Sequence, residues 1–278
     1  MRYDCGVRSL LLIALVGCRA DPTPLATGQR DLFQVTRERI PTMGREEFEY
    51  GVDVTGDGTI DNQLGAAFAA LVQQQLGDPQ AGTDAAMAAG QLVMTIEVQY
   101  AADRTNLVNV TSYTTTAAAA DPPATIADPL VGSHDGHFIT AGPGSLALVI
   151  APFGVPVTLT LEHAHVEASA IGDELNAIVG GGVDPAVVRA QLLPQWAAAL
   201  TSIVARDCPM PDCACGNGTP GALAVSYFDG NRDCSISDFE LESNSFIQSE
   251  LNPDVTIDGT QYLSFGVALD AAIEVTVP

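Results

Sequence analysis

Polar and apolar residues alternate along much of the middle of the chain. The segment 156–162 shows this best, because Val157, Leu159 and Leu161 are separated by threonines. A period of two is typical of a strand with one buried face. Strands are predicted at 92–100, 107–113, 137–140, 146–151, 157–170, 175–179 and 261–277. Gly and Pro turns join consecutive strands, which favours an antiparallel sheet over β-α-β units.

Two segments follow a helical period instead. One covers 62–77 and has Asn62 as its predicted cap. The other runs from 185 to about 207, where Asp184 is the expected cap and Pro194 is expected to kink or divide the helix. Three glycines at 180–182 are expected to end the sheet before it. The predicted fold class is α+β, mainly an antiparallel, sandwich-like sheet with several helices.

The stretch 229–240 has the order of oxygen-bearing residues that a calcium loop requires. Ca²⁺ takes about six to eight oxygen ligands, and an EF-hand loop supplies them from positions 1, 3, 5, 7, 9 and 12. Ile236 stands at position 8, where an apolar side chain can anchor the loop, and a helix is predicted over 236–251. The predicted ligands are Asp229, Asn231, Asp233, the Ser235 carbonyl, Ser237 and Glu240.

Position 6 of this loop departs from the pattern. Cys234 replaces the glycine that makes the sharp turn, and a residue with a Cβ is strained at positive φ. If that φ is kept, a disulfide could hold Cys234 in place. The alternative interpretation of the whole stretch is an acidic, solvated turn that leads into a helix.

A second stretch, at 53–62, repeats the same order of residues. Its predicted ligands are Asp53, Thr55, Asp57, the Thr59 carbonyl and Asp61. Gly58 stands at position 6, but position 12 is Leu64, so water or a distant carboxylate would have to complete the ligand ring. A third stretch, 254–260, shares the string D-V-T-x-D-G-T with 53–59 and then loses the later ligands. An Asp-Gly hairpin turn is the alternative there.

The amino terminus has the pattern of a targeting segment. Arginines at 2 and 8 precede an apolar stretch at 9–16 that is too short to span a bilayer. The string Leu-Val-Gly-Cys that ends at Cys18 resembles a bacterial lipobox. That resemblance implies cleavage before Cys18, acylation of its thiol and attachment to the membrane through the lipid. Arg19 is not the Asp that retains lipoproteins in the inner membrane, which favours the outer membrane.

The sequence predicts that the chain is divided into three regions. Residues 1–17 form a signal peptide, and 18–46 form a lipidated tether that carries prolines and mixed charge, with a short helix near 31–39. Residues 47–278 form one α+β calcium-binding domain.

The net charge of the chain indicates which kinds of molecule it can bind. The chain has 34 acidic and 11 basic residues, which is a net charge of −23. Such a net charge argues against nucleic acid and anionic membrane surfaces as partners, and it suits a protein that binds divalent cations such as Ca²⁺.

Four cysteines remain after the signal peptide and Cys18 are set aside. An even number in an oxidising compartment indicates disulfides. Cys213 and Cys215 are too close to pair easily, so 208–213 with 215–234 or 208–215 with 213–234 are the two predicted pairings. A zinc site is the alternative, although the spacing of Cys208, Cys213, Cys215 and Cys234 is unusual for zinc.

Four histidines occur as two close pairs, His134 with His137 and His163 with His165. Residues two apart on a strand point the same way, so two converging pairs could bind a transition metal. The alternative is that two turns and a strand end expose polar residues. The chain contains no G-x-S-x-G, P-loop or H-E-x-x-H motif, and no catalysis is expected.

The leader and the loops together resemble EF-hand-containing lipoproteins of myxobacteria-like genomes. That resemblance implies an envelope-anchored, non-enzymatic lipoprotein in which calcium is structural. Two alternatives remain open at this point. One is a surface adhesion or ligand-binding module whose sheet presents the binding face, and the other is a metal-dependent enzyme built on the four histidines.

Overall fold

The computed structural model describes residues 25–103, 105–115, 128–209 and 213–277. Within these ranges the strands are β1 (Arg30–Arg39), β2 (Val93–Tyr100), β3 (Leu107–Thr115), β4 (Leu130–Asp135), β5 (Phe138–Ile150), β6 (Val157–Ile171), β7 (Glu174–Val183), β8 (Val255–Ile257) and β9 (Thr260–Val277). The helices are α1 (Glu46–Glu49), α2 (Gln63–Gln73), α3 (Pro79–Ala88), α4 (Pro185–Asp207), α5 (Pro220–Phe228), α6 (Asp238–Ser243) and α7 (Ser245–Glu250).

The strands form one antiparallel sheet in the order β1-β2-β3-β4-β5-β6-β7-β9-β8. Strand β1 also pairs with β9, so eight strands close on themselves and only the short β8 lies outside the ring. Strands β2 to β7 are consecutive neighbours, as the hairpin-like spacing of the sequence predicts. The predicted fold class, α+β with a mainly antiparallel sheet, is confirmed.

Apolar side chains fill the interior of the closed sheet. Each of the eight strands contributes at least one buried residue, for example Phe33, Ile96, Val110, Leu130, Leu148, Val166, Val179 and Leu269. A void of about 10 Å³ lies among them, which is close to the space of a single water molecule. Helices add a second layer, in which Phe68 of α2 meets Phe265 edge-on and Trp196 of α4 stacks on Phe153.

The predicted tether is wrong for residues 30–39, and so is the short helix near 31–39. These residues form β1, which pairs with β2 on one side and β9 on the other. Phe33 and Val35 face the core with Gln34 exposed between them. The mixed charge of the segment conceals this alternation, because Arg30 and Arg37 face the solvent while the charged residue Glu38 occupies a buried position.

The glycines at 180–182 do not end the sheet. They lie inside β7 and pair with β9. A Cβ on Gly180 would stand 2.6 Å from Val52 Cγ2, so the glycine lets the chain before the first acidic loop pack on the outer face of the sheet. Strand β4 is absent from the prediction because its burial does not alternate regularly.

Apart from 31–39, the structure has helices in the segments where the sequence predicts them, but some of these helices begin, end or divide at other residues. Asn62 caps α2 by accepting a hydrogen bond from Gly65 N, and Asp184 caps α4 in the same way. Helix α4 continues through Pro194 without division. The single helix predicted over 236–251 is instead two short ones, separated at Asn244.

None of the helices among the described residues has the length and apolar character needed to cross a bilayer. The predicted signal peptide and Cys18 lie outside the described residues.

Candidate metal-binding loops

The loop at 229–240 connects α5 to α6 and rests on α4. Thr201 of α4 accepts a hydrogen bond from Ile236 N at 2.9 Å and donates one to Ile236 O at 3.1 Å. The Ile236 side chain is buried, as position 8 of a calcium loop requires. These contacts hold the centre of the loop against the helical layer. Asp229 is buried, whereas Asp233 and Asp238 are exposed and Glu240 is partly buried.

The carboxylates of the loop turn inward on their own backbone. Asp229 accepts hydrogen bonds from Asp233 N at 3.1 Å and Cys234 N at 3.0 Å. Asp233 accepts one from Ser235 N at 2.9 Å. Asn231 Oδ1 accepts from Asp233 N at 2.9 Å. The side chains at positions 1, 3 and 5 are therefore gathered on the inside of the turn.

Glu240, the predicted bidentate ligand, closes the loop from its far end. Its Oε1 accepts hydrogen bonds from Gly230 N and Asn231 N, and its Oε2 accepts from the backbone N and the Oγ of Ser237 in a capping box. Partial burial raises the pKa of Glu240, but the hydrogen bonds outweigh it and the pKa lies below the ordinary value. The carboxylate is thus held ionised beside position 1.

Two disulfides surround this loop, Cys208–Cys215 and Cys213–Cys234. They are the second of the two predicted pairings. Cys234 has a φ of 64°, so the positive φ of position 6 is kept although the residue is not glycine. The bond to Cys213 ties this strained position to the segment after α4, as predicted for a residue with a Cβ that keeps a positive φ.

The second loop, at 53–62, has the same backbone conformation as the first. Position 4 has positive φ in both, with 75° at Gly56 and 61° at Arg232, and so does position 6, with 87° at Gly58. Asp53 accepts hydrogen bonds from the backbone N of positions 5 and 6, as Asp229 does. Asp57 accepts from the N of position 7, as Asp233 does.

Loop 53–62 is anchored to the outside of the sheet. Asn62 pairs with Gly266 of β9 through both its amide oxygen and its amide nitrogen. Leu64 at position 12 is buried in the core and supplies no oxygen side chain. Burial raises the pKa of Asp61, and the charge of Asp254 raises it further. A bound cation would relieve this crowding of carboxylates.

The third stretch is a hairpin turn. Asp258 and Gly259 have φ values of 49° and 82°, and they join β8 to β9. Its first residue, Asp254, accepts hydrogen bonds from the backbone N and the Oγ of Ser264. Sequence reasoning treats 254–260 as a separate loop and misses the proximity of Asp254 to Asp61. The repeated string D-V-T-x-D-G-T is the signal that links the two segments.

A hard divalent cation suits the donors of both loops, because carboxylate, amide, hydroxyl and carbonyl oxygens are the ligands it takes. Within 25–103, 105–115, 128–209 and 213–277, no group of three or more His, Cys, Asp and Glu side chains is arranged to hold a metal ion. In the first loop the Glu240 carboxylate accepts four hydrogen bonds, all of them from protein donors. Glu240 would have to release the capping box to act as a bidentate ligand.

The four histidines remain two separate pairs. His134 packs edge-on against Tyr100, and His137 lies 3.1 Å from Ala170 O. His163 and His165 lie five or more residues before Ala170 on β6, which is about 16 Å at the rise of a strand. The arrangement does not bring the four together in one pocket.

The outer face of the sheet carries a groove of about 430 Å³ that the sequence does not reveal. Strands β5, β6, β7 and β9 form its floor, with Glu167 and Asn176 among the lining residues. Arg39 forms an ion pair with Asp270 and lies 5.6 Å over the Tyr50 ring at one wall. These groups are distant in sequence, and only the closure of the sheet assembles them.

Comparison with protein-family models, with curated proteins and with solved structures finds no match to this chain.

Proposed function

We propose that this chain is an envelope-anchored lipoprotein whose domain binds calcium as a structural ion and performs no catalysis. The observation that supports calcium binding most strongly is the shared conformation of two loops far apart in sequence. Both have positive φ at positions 4 and 6, and both gather the carboxylates of positions 1 and 5 on the inside of the turn.

Calcium would stabilise the domain through charge and through cross-linking of elements. The net charge of −23 repels itself in the compact state, and bound cations reduce that repulsion. Loop 229–240 joins α5, α6 and α4, while loop 53–62 joins α2 to β9. With millimolar calcium and a dissociation constant of about 10⁻⁴ M, each site adds about 1.4 kcal/mol to the free energy of unfolding.

A thermal melt of residues 19–278, with disulfides intact, tests calcium binding. The midpoint in millimolar calcium should exceed that in EGTA by about 3–5 °C per site. Glu240→Gln should lose most of the shift due to loop 229–240, because the bidentate ligand becomes a neutral amide. The quantity compared is the shift on adding calcium, since Glu240→Gln also weakens the capping box.

Asp258→Asn is the matched control. It removes one carboxylate from the Asp-Gly hairpin, where asparagine is equally suited to the turn. Its calcium shift should equal that of the unmodified chain. A shift that Glu240→Gln leaves unchanged, or the absence of any shift, would refute a calcium site at 229–240.

The anchor is tested on the full chain, expressed with its leader in a bacterial host. The chain should partition into the detergent-rich phase of Triton X-114, since acyl chains contribute about 0.8 kcal/mol per buried methylene. Cys18→Ala should move the mature protein to the aqueous phase with its folded domain intact. Equal partitioning of the two proteins would contradict lipidation at Cys18.

A ligand-binding module is the second candidate, and the groove on the outer face favours it. Its volume is within the range of small-molecule sites, and its lining combines Arg39, Tyr50, Glu167 and Asn176 with the exposed ring of Phe138. A melting midpoint that is insensitive to calcium would make this candidate the stronger of the two.

A further inference from the structure

We propose that His163 and His165 form a second metal site, of a different class from the acidic loops, that takes a transition-metal ion such as Zn²⁺. The site lies on the outer face of β6, next to the first acidic loop. It does not depend on calcium binding.

The backbone at His163 is the first observation. Its φ is 53°, in the left-handed region that residues with a Cβ rarely adopt, and the pairing of β6 with β7 shifts register between Glu162 and His165. This bulge brings the two imidazole rings to a centroid distance of 5.4 Å at an interplanar angle of 75°. Bulges re-aim side chains, and conformational strain is often retained at functional positions.

The hydrogen bond of His163 determines which nitrogen is available. Nδ1 lies 2.9 Å from the carbonyl oxygen of Val54, which can only accept. The proton of the neutral ring therefore resides on Nδ1, and Nε2 carries the free lone pair. Metal-binding histidines commonly donate the other ring N–H to a backbone carbonyl in this way, because it fixes the tautomer and the direction of the lone pair.

His165 is suited to be the partner ligand. Its ring is half-buried and lies edge-on to the His163 ring. Neutral imidazole is a good ligand for Zn²⁺, Cu²⁺ and Ni²⁺ and a poor one for Ca²⁺.

Asp53 is near enough for its charge to act on His165, but it is not the third ligand. Both oxygens of its carboxylate accept backbone N–H groups of its own loop. The site proposed here consists of two imidazole nitrogens, with water completing the coordination.

Calorimetric titration of residues 19–278 with Zn²⁺ tests the site. Millimolar calcium is kept in the buffer, so that hard-cation loops are already occupied and cannot produce the signal. One Zn²⁺ should bind, and His165→Gln should weaken binding about ten-fold or more. His163→Gly should do the same, and glycine accepts the positive φ at this position without strain.

The double variant His134→Gln/His137→Gln is the matched control, since it removes two histidines from the other pair. Its zinc affinity should equal that of the unmodified chain. In parallel, ¹⁵N spectra of the imidazoles should show zinc-dependent shifts at Nε2 of His163 while Nδ1 stays protonated. Zinc affinity that falls equally in the control, or that survives in both His163→Gly and His165→Gln, would overturn the assignment.

Discussion

Replacing Cys213 and Cys234 by alanine should lower the free energy of unfolding by about 3 kcal/mol. The bond links residues 21 apart, and opening a loop of that length restores about this much entropy to the unfolded chain. Alanine at position 234 also has to hold a φ of 64° without covalent support. Urea denaturation in EGTA, with the midpoint and slope fitted together, measures the change.

The companion variant Cys213→Ala/Cys234→Gly separates the two causes. It lacks the same bond but places at position 6 the residue that adopts positive φ freely. It should be about 1 kcal/mol more stable than the double-alanine variant, and it should bind calcium more tightly. Equal stability of the two variants would show that the left-handed conformation is lost with the bond.

Cys208→Ala/Cys215→Ala is the control for calcium affinity. It removes a disulfide next to the loop without touching a residue of 229–240. Its affinity for calcium should remain close to that of the unmodified chain, whereas the double-alanine variant at 213 and 234 should bind more weakly. A similar loss in both would mean that cross-linking near α4, rather than position 6, controls the loop.

Glu38 should make the folded domain less stable as the pH rises. Its side chain is fully buried, it pairs across β1 and β9 with Leu269, and both carboxylate oxygens lack a hydrogen-bond partner among the described residues. Burial raises the pKa of Glu38 well above its ordinary value. The folded state therefore keeps a proton that the unfolded chain releases.

The sign of the effect follows from this difference in bound protons. Below the unfolded pKa, about 4.3, both states are protonated and nothing is lost. Above it, the free energy of unfolding falls by up to about 1.4 kcal/mol per pH unit until the folded pKa is reached. Glu38→Gln removes this slope. Relative to the unmodified chain, Glu38→Met should raise the free energy of unfolding by about 1–3 kcal/mol at neutral pH, because no polar side chain is then left buried at this position.

Chemical denaturation at a series of pH values between 4.5 and 8, with calcium absent, measures this dependence. At each pH, the free energy of unfolding of Glu38→Gln is compared with that of the unmodified chain, because the contribution of the other carboxylates cancels in this difference. Glu97→Gln, which removes a buried acid of β2 that is hydrogen-bonded to Tyr113, serves as control. If the difference in free energy of unfolding between Glu38→Gln and the unmodified chain does not change with pH, Glu38 is ionised, and therefore paired, in the folded state.

The candidate calcium loops are predictions of the sequence, and their signal is local. Ligand spacing within twelve residues, Gly58 at position 6 of one loop and Ile236 at position 8 of the other are properties of a short segment. The disulfides could be predicted only as two alternatives, since Cys213 and Cys215 are equivalent by sequence distance. The folded chain pairs Cys208 with Cys215 and Cys213 with Cys234, and the packing of distant segments decides between the alternatives.

The strand β1 shows where local reasoning fails. Its partners in β9 lie from 229 residues away, for Arg39 and Ala268, to 247 residues away, for Arg30 and Val277. Neither the pairing of Glu38 with Leu269 nor the closure of the sheet therefore has a local signal. The prediction that glycines 180–182 end the sheet is wrong for the same reason. Glycine is a poor strand residue by itself, and its use at 180 is explained only by the approach of Val52 to the outer face.

The sequence by itself determined helices α2 and α4 and most strands of the sheet, and it predicts a hard divalent cation for the acidic loops, because hydrophobic period, capping residues and ligand order act over a few neighbouring residues. The tertiary structure alone decided the closed sheet, the disulfide pairing, the burial of Glu38 and the juxtaposition of His163 with Val54. Each of these depends on contacts between distant segments, whose free energy comes from packing and not from local preference.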